Sequence, residues 1–196
     1  YRTPDGDFET ANELRIPVGE PVALELTSAD VIHSFWVPAY AGKIDMIPGR
    51  TNTLTLEASR PGLRRGQCAE YCGGPHAFMS FYVEALDAEA FTDWLASERG
   101  DAVVRDHPGA VAFRRAGCGA CHAIRGTDAS GRVGPDLTHV GSRHSLGAGL
   151  LTNEEDDLRA WIERHQELKP ENLMPEMATL DEADIDSLAS YLAALE

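Results

Sequence analysis

Apolar and polar residues alternate in several short runs across the first hundred residues of the chain. The runs 13–18 and 22–26 alternate one for one and are separated by a Gly-Glu-Pro turn, and the runs 51–58 and 78–86 repeat the pattern. A period of two is typical of β-strands that bury one face. Short strands broken by Pro and Gly predict a β-sandwich or a Greek-key barrel.

After residue 107 the spacing of the apolar residues lengthens to that of α-helices. The run 108–117 begins with Pro, which suits the first turn of a helix. The run 152–168 begins with Thr152, followed three residues later by Glu155, and this spacing predicts a capping box. The terminal run places four apolar residues on one helical face: Ile185, Leu188, Leu192 and Leu195.

The change of period predicts two domains, a β domain over residues 1–97 and an all-α domain over residues 108–196. A short helix after Asp87 should complete the first domain. Residues 98–107 are charged, have no periodicity, and are predicted to form a linker.

Composition and charge exclude two classes of protein. Hydrophobic residues make up 43% of the chain and charged residues 25%, as in folded globular proteins, and no run reaches the roughly 18 apolar residues of a transmembrane helix. The net charge of −15 is shared by both halves without a basic patch, so no nucleic-acid partner is expected. Such an acidic surface is either simply well solvated or steers a basic protein partner.

The four cysteines lie in two close pairs, Cys68 with Cys72 and Cys118 with Cys121. Two pairs that are far apart along the chain indicate two separate cofactor sites rather than a disulfide framework.

The first pair belongs to a soft donor set, which favours copper or zinc. The set comprises Cys68, Cys72, His76 and Met79, with His33 upstream at the end of a predicted strand. Two Cys and two His would satisfy tetrahedral zinc, whereas the added thioether favours a copper electron-transfer centre. A structural disulfide between Cys68 and Cys72 is a further alternative.

The segments DVIHSF, KIDMIPGR and CAEYCG, the last followed by His76 and Met79, closely resemble subunit II of haem-copper cytochrome c oxidases. The resemblance covers residues 10–97 and implies a cupredoxin-like Greek-key β-barrel with a binuclear copper centre. It assigns the two copper ions to six residues: His33, Cys68, Glu70 through its backbone carbonyl, Cys72, His76 and Met79. It also implies that the Glu70 side chain reaches a magnesium ion at the contact with the catalytic subunit.

The second pair forms the motif Cys118-Gly-Ala-Cys121-His122, which is typical of covalent haem attachment. Taken alone, a C-x-x-C pair is also found in redox dithiols and zinc sites.

With the flanking segments VGPDLTHVGSR and ENLMPEMATL, the motif resembles the class I cytochromes c over residues 108–196. The resemblance implies one covalent haem c with His122 and a methionine as axial ligands. Met174 is favoured over Met177 because it directly precedes Pro. The same resemblance implies that the Pro135 carbonyl orients His122 and that Arg143 pairs with a haem propionate or lies exposed. The other histidines of this half are expected on the surface: His107, His139, His144 and His165.

A cytochrome c domain fused behind a copper domain is known among bacterial cytochrome c oxidases, so the resemblance implies an electron-transfer subunit with no catalytic residues of its own. Electrons would pass from an external donor, such as a cytochrome c or another small redox protein, through the haem to the copper pair. The catalytic subunit I would then receive them and reduce oxygen to water. The alternatives are a stand-alone electron carrier and the small subunit of a copper-containing nitric oxide reductase.

Covalent haem and thiolate-bound copper place both domains in the periplasm or on the outer face of the bacterial cytoplasmic membrane. The family carries a membrane anchor and an aromatic strand before the position at which this chain begins. We therefore expect the chain to be the soluble extracytoplasmic portion, with a membrane anchor in the full-length protein.

Overall fold

The computed structural model describes residues 1–102 and 106–196 and divides them into two compact units. The β unit comprises Asn12–Leu95 with Ala148–Leu150, and the helical unit comprises Tyr1–Ala11, Ala96–Gly147 and Leu151–Glu196. The predicted order, β structure first and helices second, is confirmed.

The strands of the β unit form two sheets. The strands are β1 (Glu13–Pro17), β2 (Val22–Leu26), β3 (His33–Trp36), β4 (Ile44–Met46), β5 (Asn52–Leu56), β6 (Gly62–Cys68) and β7 (Ser80–Leu86). One sheet has the order β1-β7-β6-β3-β4, in which β1 and β7 are parallel and the other neighbours are antiparallel, and the other sheet pairs β2 with β5.

The alternating runs correctly locate β1, β2, β5 and β7, and their inward residues supply all of the core of the β unit except Val37, which follows β3. This core comprises Ile16, Val37, Leu56, Ala58, Val83 and Ala85. His33 begins β3 rather than ending a strand, as the sequence pattern had suggested.

Within the described residues, four α-helices follow β7. They are α1 (Ala88–Glu98), α2 (Pro108–Arg115), α3 (Glu155–Leu168) and α4 (Glu182–Ala193). The predicted apolar face of the terminal run is confirmed, because all four of its residues are buried in the core of the helical unit. None of the helices in the described ranges is both long enough and apolar enough to cross a bilayer.

The start of α3 differs from the prediction. Its N-cap is Glu154, which makes no side-chain capping bond, and Thr152 instead donates to the Asp157 carboxylate. The prediction of a capping box between Thr152 and Glu155 is therefore wrong.

The predicted linker 98–107 includes residues 103–105, which lie outside the described residues. The part before them is hydrogen-bonded within the helical unit. Ala102 N donates to the Arg125 carbonyl at 3.1 Å, and Arg125 Nε donates to the Gly100 carbonyl at 3.3 Å. The domain bounds 1–97 and 108–196 stay a prediction.

Candidate metal centres

The loop after β6 is closed by main-chain hydrogen bonds, which bring its two ends together. Phe35 of β3 stands opposite Cys68 at the end of β6. Cys68 N donates to the Met79 carbonyl and Ala69 N donates to the Ser34 carbonyl, each at 2.9 Å. The first cysteine of the loop and its methionine are therefore neighbours in space although they are eleven positions apart in the sequence.

A tight turn inside this loop places His76 over the second cysteine. Gly73 has a φ of 127°, a backbone conformation that is open to glycine but costly for other residues. A short 3-10 helix, Gly74–Phe78, follows with Pro75 in its first turn and carries His76 inward.

The five predicted side-chain donors of this half converge around the two thiols. The Sγ atoms of Cys68 and Cys72 lie 3.8 Å apart. Cys68 Sγ is 3.9 Å from His33 Nδ1, while Cys72 Sγ is 3.5 Å from His76 Nδ1 and 3.2 Å from Met79 Sδ. Each cysteine therefore has one histidine beside it.

The backbone of Glu70 also reaches the cluster, as its carbonyl oxygen lies 3.2 Å from Cys68 Sγ. No disulfide links any two of the four cysteines, which all lie within the described residues. The ligand atoms of His33, Cys68 and Cys72 all lie within 4.8 Å of one another. A metal–thiolate bond is about 2.3 Å long, so two sulfurs at this separation fit around shared metal ions.

Asp30 orients one of these histidines, a role that spacing alone did not reveal. Its Oδ1 atom lies 2.8 Å from His33 Nε2, which leaves Nδ1 facing Cys68. The hydrogen bond from His33 lowers the pKa of Asp30 to about 2. Burial lowers the pKa of His33, but the hydrogen bonds and charges of Asp30 and Cys68 together outweigh it, and the net shift of this pKa is upward. Carboxylates that orient ligand histidines in this way are common around protein-bound metals.

The two thiols differ in acidity. Burial raises the pKa of Cys68, but backbone hydrogen bonds at Ser34 and Glu70 together with the side chains of His33 and Cys72 lower it to about 7. Burial and the neighbouring Cys68 raise the pKa of Cys72 to about 11. The thiolate is the form that binds metal, and the contacts around Cys68 favour that form.

The C-x-x-C-H motif follows α2 through a left-handed turn. Gly117 has a φ of 76°, and the 3-10 helix Cys118–Ala120 begins directly after it. His122 N donates to the Cys118 carbonyl at 3.0 Å, so the motif is a compact turn with both thiols half-buried.

The ring of His122 has a defined orientation. Nδ1 lies 2.8 Å from the Pro135 carbonyl oxygen, which leaves Nε2 for an iron ligand bond. A Cβ atom on Gly134 would collide with this ring, so the chain can approach the imidazole only with glycine at that position. Arg143 is half-buried and donates to the carbonyl of Asp136, in the same loop. These residues fit a haem bound through two thioethers and one imidazole.

The two candidate methionines are both half-buried, but their backbones are held differently. Side chains of α3 and of the following loop bind the backbone of Met174. The carbonyl of Met177 accepts a backbone hydrogen bond from Leu180 N at 3.1 Å.

Two histidines expected on the surface are buried. His139 is 4% exposed with Nε2 3.1 Å from the Gly100 carbonyl, and His165 is 1% exposed beneath the Met174 backbone. His107 is half-buried and caps α2 by accepting from Gly109 N, whereas His144 is exposed as expected. His165 could have been found, because it extends the apolar face of Leu158 and Ile162 at helical spacing.

Comparison with known proteins matches both halves of the chain. Residues 5–86 match the family model described as "Cytochrome C oxidase subunit II, periplasmic domain", and residues 107–196 match the model described as "Cytochrome c". A relative named cytochrome c oxidase subunit 2, from Alkalihalophilus pseudofirmus, is 41% identical over 195 residues, which is 96% of this chain and 56% of that protein. The chain belongs to the cytochrome c oxidase subunit II family.

Another relative named cytochrome c oxidase subunit 2, from Bacillus sp. strain PS3, is 32% identical over an alignment of 213 residues. The alignment covers all of this chain and 59% of that protein. The chain thus spans a little more than half the length of these two curated relatives. A crystal structure of the periplasmic domain of subunit II from Bradyrhizobium japonicum has 39% sequence identity and a TM-score of 0.44, covering 45% of this chain and 64% of that one.

Family membership confirms the predicted fold class, a cupredoxin-like β domain followed by a helical cytochrome c domain. It also confirms the predicted classes of cofactor, because domains of these two families bind copper and haem c.

Proposed function

We propose that this chain is the electron-input portion of a haem-copper cytochrome c oxidase, with a binuclear copper centre and one covalent haem c. The observation that supports it most directly is the convergence of two thiols, two imidazoles and a thioether after β6, in a chain that also carries C-x-x-C-H. One-electron transfer between an external donor and the oxygen-reducing catalytic subunit is the chemistry that these groups would supply when bound.

The residues of the β unit would hold two copper ions without large movement. Cys68 and Cys72 would bridge the ions, His33 and His76 would each bind one, and Met79 would be a weak outer ligand. The Glu70 carbonyl would be the second weak ligand, and its side chain would reach a magnesium ion at the subunit contact. Because Asp30 already fixes the ring of His33, little rearrangement would accompany a change of charge at the site.

In the helical unit, Cys118 and Cys121 would hold the haem covalently, and His122 and Met174 would be its axial ligands. The Pro135 carbonyl accepts from His122 Nδ1, which would leave Nε2 to bind the iron. Arg143 would pair with a haem propionate. A His/Met ligand pair raises the potential of haem iron, which suits a centre that accepts electrons from a small redox protein.

The partners would be catalytic subunit I and an external donor, a cytochrome c or another small redox protein. The chain would lie on the periplasmic side of the bacterial cytoplasmic membrane, with the anchor in the full-length protein. The periplasmic domain named by the family model supports this location.

Metal and haem content test the proposal. We expect two copper ions and one haem per chain, with a paramagnetic resonance spectrum of the copper site that shows one electron shared between two nuclei. One zinc ion and no copper would contradict it, and a spectrum of one isolated copper would exclude the bridging arrangement. A Cys72→Ser protein should lose the copper signal and keep the haem spectrum.

The identity of the acceptor needs a separate measurement. Membranes that carry the full-length protein should consume oxygen when supplied with a reduced donor, and the Cys72→Ser protein should abolish this uptake. Uptake of nitric oxide in place of oxygen would favour the nitric oxide reductase alternative, and donor oxidation without either would favour a stand-alone carrier.

A further inference from the structure

Three side chains hold the backbone of Met174. Gln166 Nε2 donates to the Met174 carbonyl at 2.9 Å, and His165 Nε2 lies 3.0 Å from the same oxygen. Asn172 Oδ1 accepts from the Met174 N–H at 3.1 Å. Both backbone polar groups of this residue are therefore fixed by side chains rather than by a strand or a helix.

The His165 ring lies between this loop and α3. The residue is only 1% exposed, and its Nδ1 atom lies 3.1 Å from the carbonyl of Trp161, four residues earlier. Its ring packs beside that of Trp161 with the centroids 5.9 Å apart. A neutral imidazole has a single N–H, and in the tautomer that carries it on Nε2 the ring donates to the Met174 carbonyl. A buried donor can leave that carbonyl only by losing a hydrogen bond that water cannot easily replace.

Asn172 joins the loop to the C-terminal end of α3. Its Nδ2 atom donates to the carbonyls of His165 at 3.1 Å and Lys169 at 2.7 Å. The His165 carbonyl also accepts from Lys169 N, the C-cap of α3, at 2.8 Å, so Asn172 binds the loop to the last turn of α3 and to its C-cap. Gln166 donates to the Asn172 carbonyl at 2.9 Å as well.

Apolar burial contributes little at this point of the chain. Leu173, which directly precedes the methionine, is 97% exposed. The position of the Met174 backbone therefore depends on the polar contacts of His165, Gln166 and Asn172.

We propose that His165 and Gln166 are positioning residues that hold the Met174 thioether against the haem iron and set the rate at which it leaves. This inference rests on the proposed role of Met174 as the axial ligand. A thioether is a weak ligand, so its residence on the metal depends on how often the surrounding loop opens. Each hydrogen bond to the Met174 carbonyl must break before the loop can open.

Displacement by imidazole tests the inference in the haem-loaded, ferric full-length chain. The rate at which excess imidazole removes the methionine-to-iron charge-transfer band measures release of the methionine. We expect His165→Leu and Gln166→Leu each to raise this rate about three- to tenfold, as the loss of one net hydrogen bond implies. His165→Gln keeps an N–H donor within reach of the same carbonyl and should stay within about twofold of the wild type.

His107→Leu is the matched control, because it removes a histidine that caps α2 in the same unit. It should lower the Tm and leave the release rate unchanged. An equal rise in the release rate for His107→Leu and His165→Leu would overturn the inference, since general destabilisation would then explain both. If His165→Leu does not fold, an unchanged rate for Gln166→Leu overturns the inference by itself.

Met174→Ala separates this inference from the ligand assignment. Loss of the band in Met174→Ala, combined with unchanged release in both leucine variants, would overturn the positioning role alone. Retention of the band in Met174→Ala would overturn the ligand assignment, and the positioning role with it.

Discussion

Met174 and Met177 lie three positions apart and both carry a thioether, but only one of them can be the sixth ligand of the iron. We expect Met174→Ala to abolish the methionine-to-iron band and to lower the reduction potential, because a thioether favours ferrous iron over water or nitrogen donors. Met177→Ala is the matched control and should leave both nearly unchanged. Spectra and a redox titration of the two proteins decide the matter, and the opposite pattern would assign Met177.

At the residue scale, the sequence identifies donor atoms better than their orientation. The spacing of Cys68, Cys72, His76 and Met79 was sufficient to predict that they share one site, and the structure brings them together. Asp30 was not identified, because a carboxylate three residues before a histidine is common and only the turn between them creates the contact.

The contact of His165 with Met174 is subject to the same limit. The helical spacing of His165 with Leu158 and Ile162 indicates that its ring is buried, but its partner at residue 174 lies beyond the end of that helix. The contact exists only because the loop folds back over the last turn of α3, which local pattern does not encode.

At the scale of elements, the crossing of α2 and α4 depends on one glycine. A Cβ atom on Gly109 would lie well inside van der Waals contact of the Ser187 carbonyl and the Tyr191 Cβ atom. Gly109→Ala should force the helices apart and reduce the free energy of unfolding of the helical unit by about 2–3 kcal/mol. Denaturant unfolding followed by helical circular dichroism measures the change.

Val111→Ala, at an exposed position of the same helix, is the control and should change stability by less than about 0.5 kcal/mol. If Gly109→Ala changed the free energy of unfolding as little as Val111→Ala does, the inferred close approach of α2 and α4 at this point would be wrong. Pro108 and Gly109 together are typical of a helix start, so the sequence gives no hint of the packing role.

Strand β6 shows why period-two patterns miss some elements. Its sequence GLRRGQC has few apolar residues, and its Gly66 is buried beneath the ring of Phe81 rather than contributing a side chain of its own. The strand exists because β3 and β7 provide hydrogen-bond partners on both sides. Periodicity reports burial of side chains, and β6 is specified mainly by its backbone.

For the whole molecule, the net charge of −15 affects the rate of association with charged partner proteins rather than the fold. Both halves carry an excess of acidic residues, so a basic donor protein would be attracted to either one. The sequence was sufficient to predict the family and the acidic composition. The residues that orient the ligands could be identified only from the folded structure.

Because both proposed centres lie on one chain, the second electron transfer should not require a second molecular encounter. A short covalent connection gives a local concentration roughly in the millimolar range, far above the micromolar concentrations of an assay. After rapid mixing with a reduced donor, we expect the haem absorbance to change first and the copper absorbance to follow. Over a tenfold dilution of the protein the rate of the second phase should stay constant, while the first phase continues to depend on donor concentration. A second phase that slows in proportion to dilution would mean that electrons pass between molecules, and the stand-alone carrier would then account better for the chain.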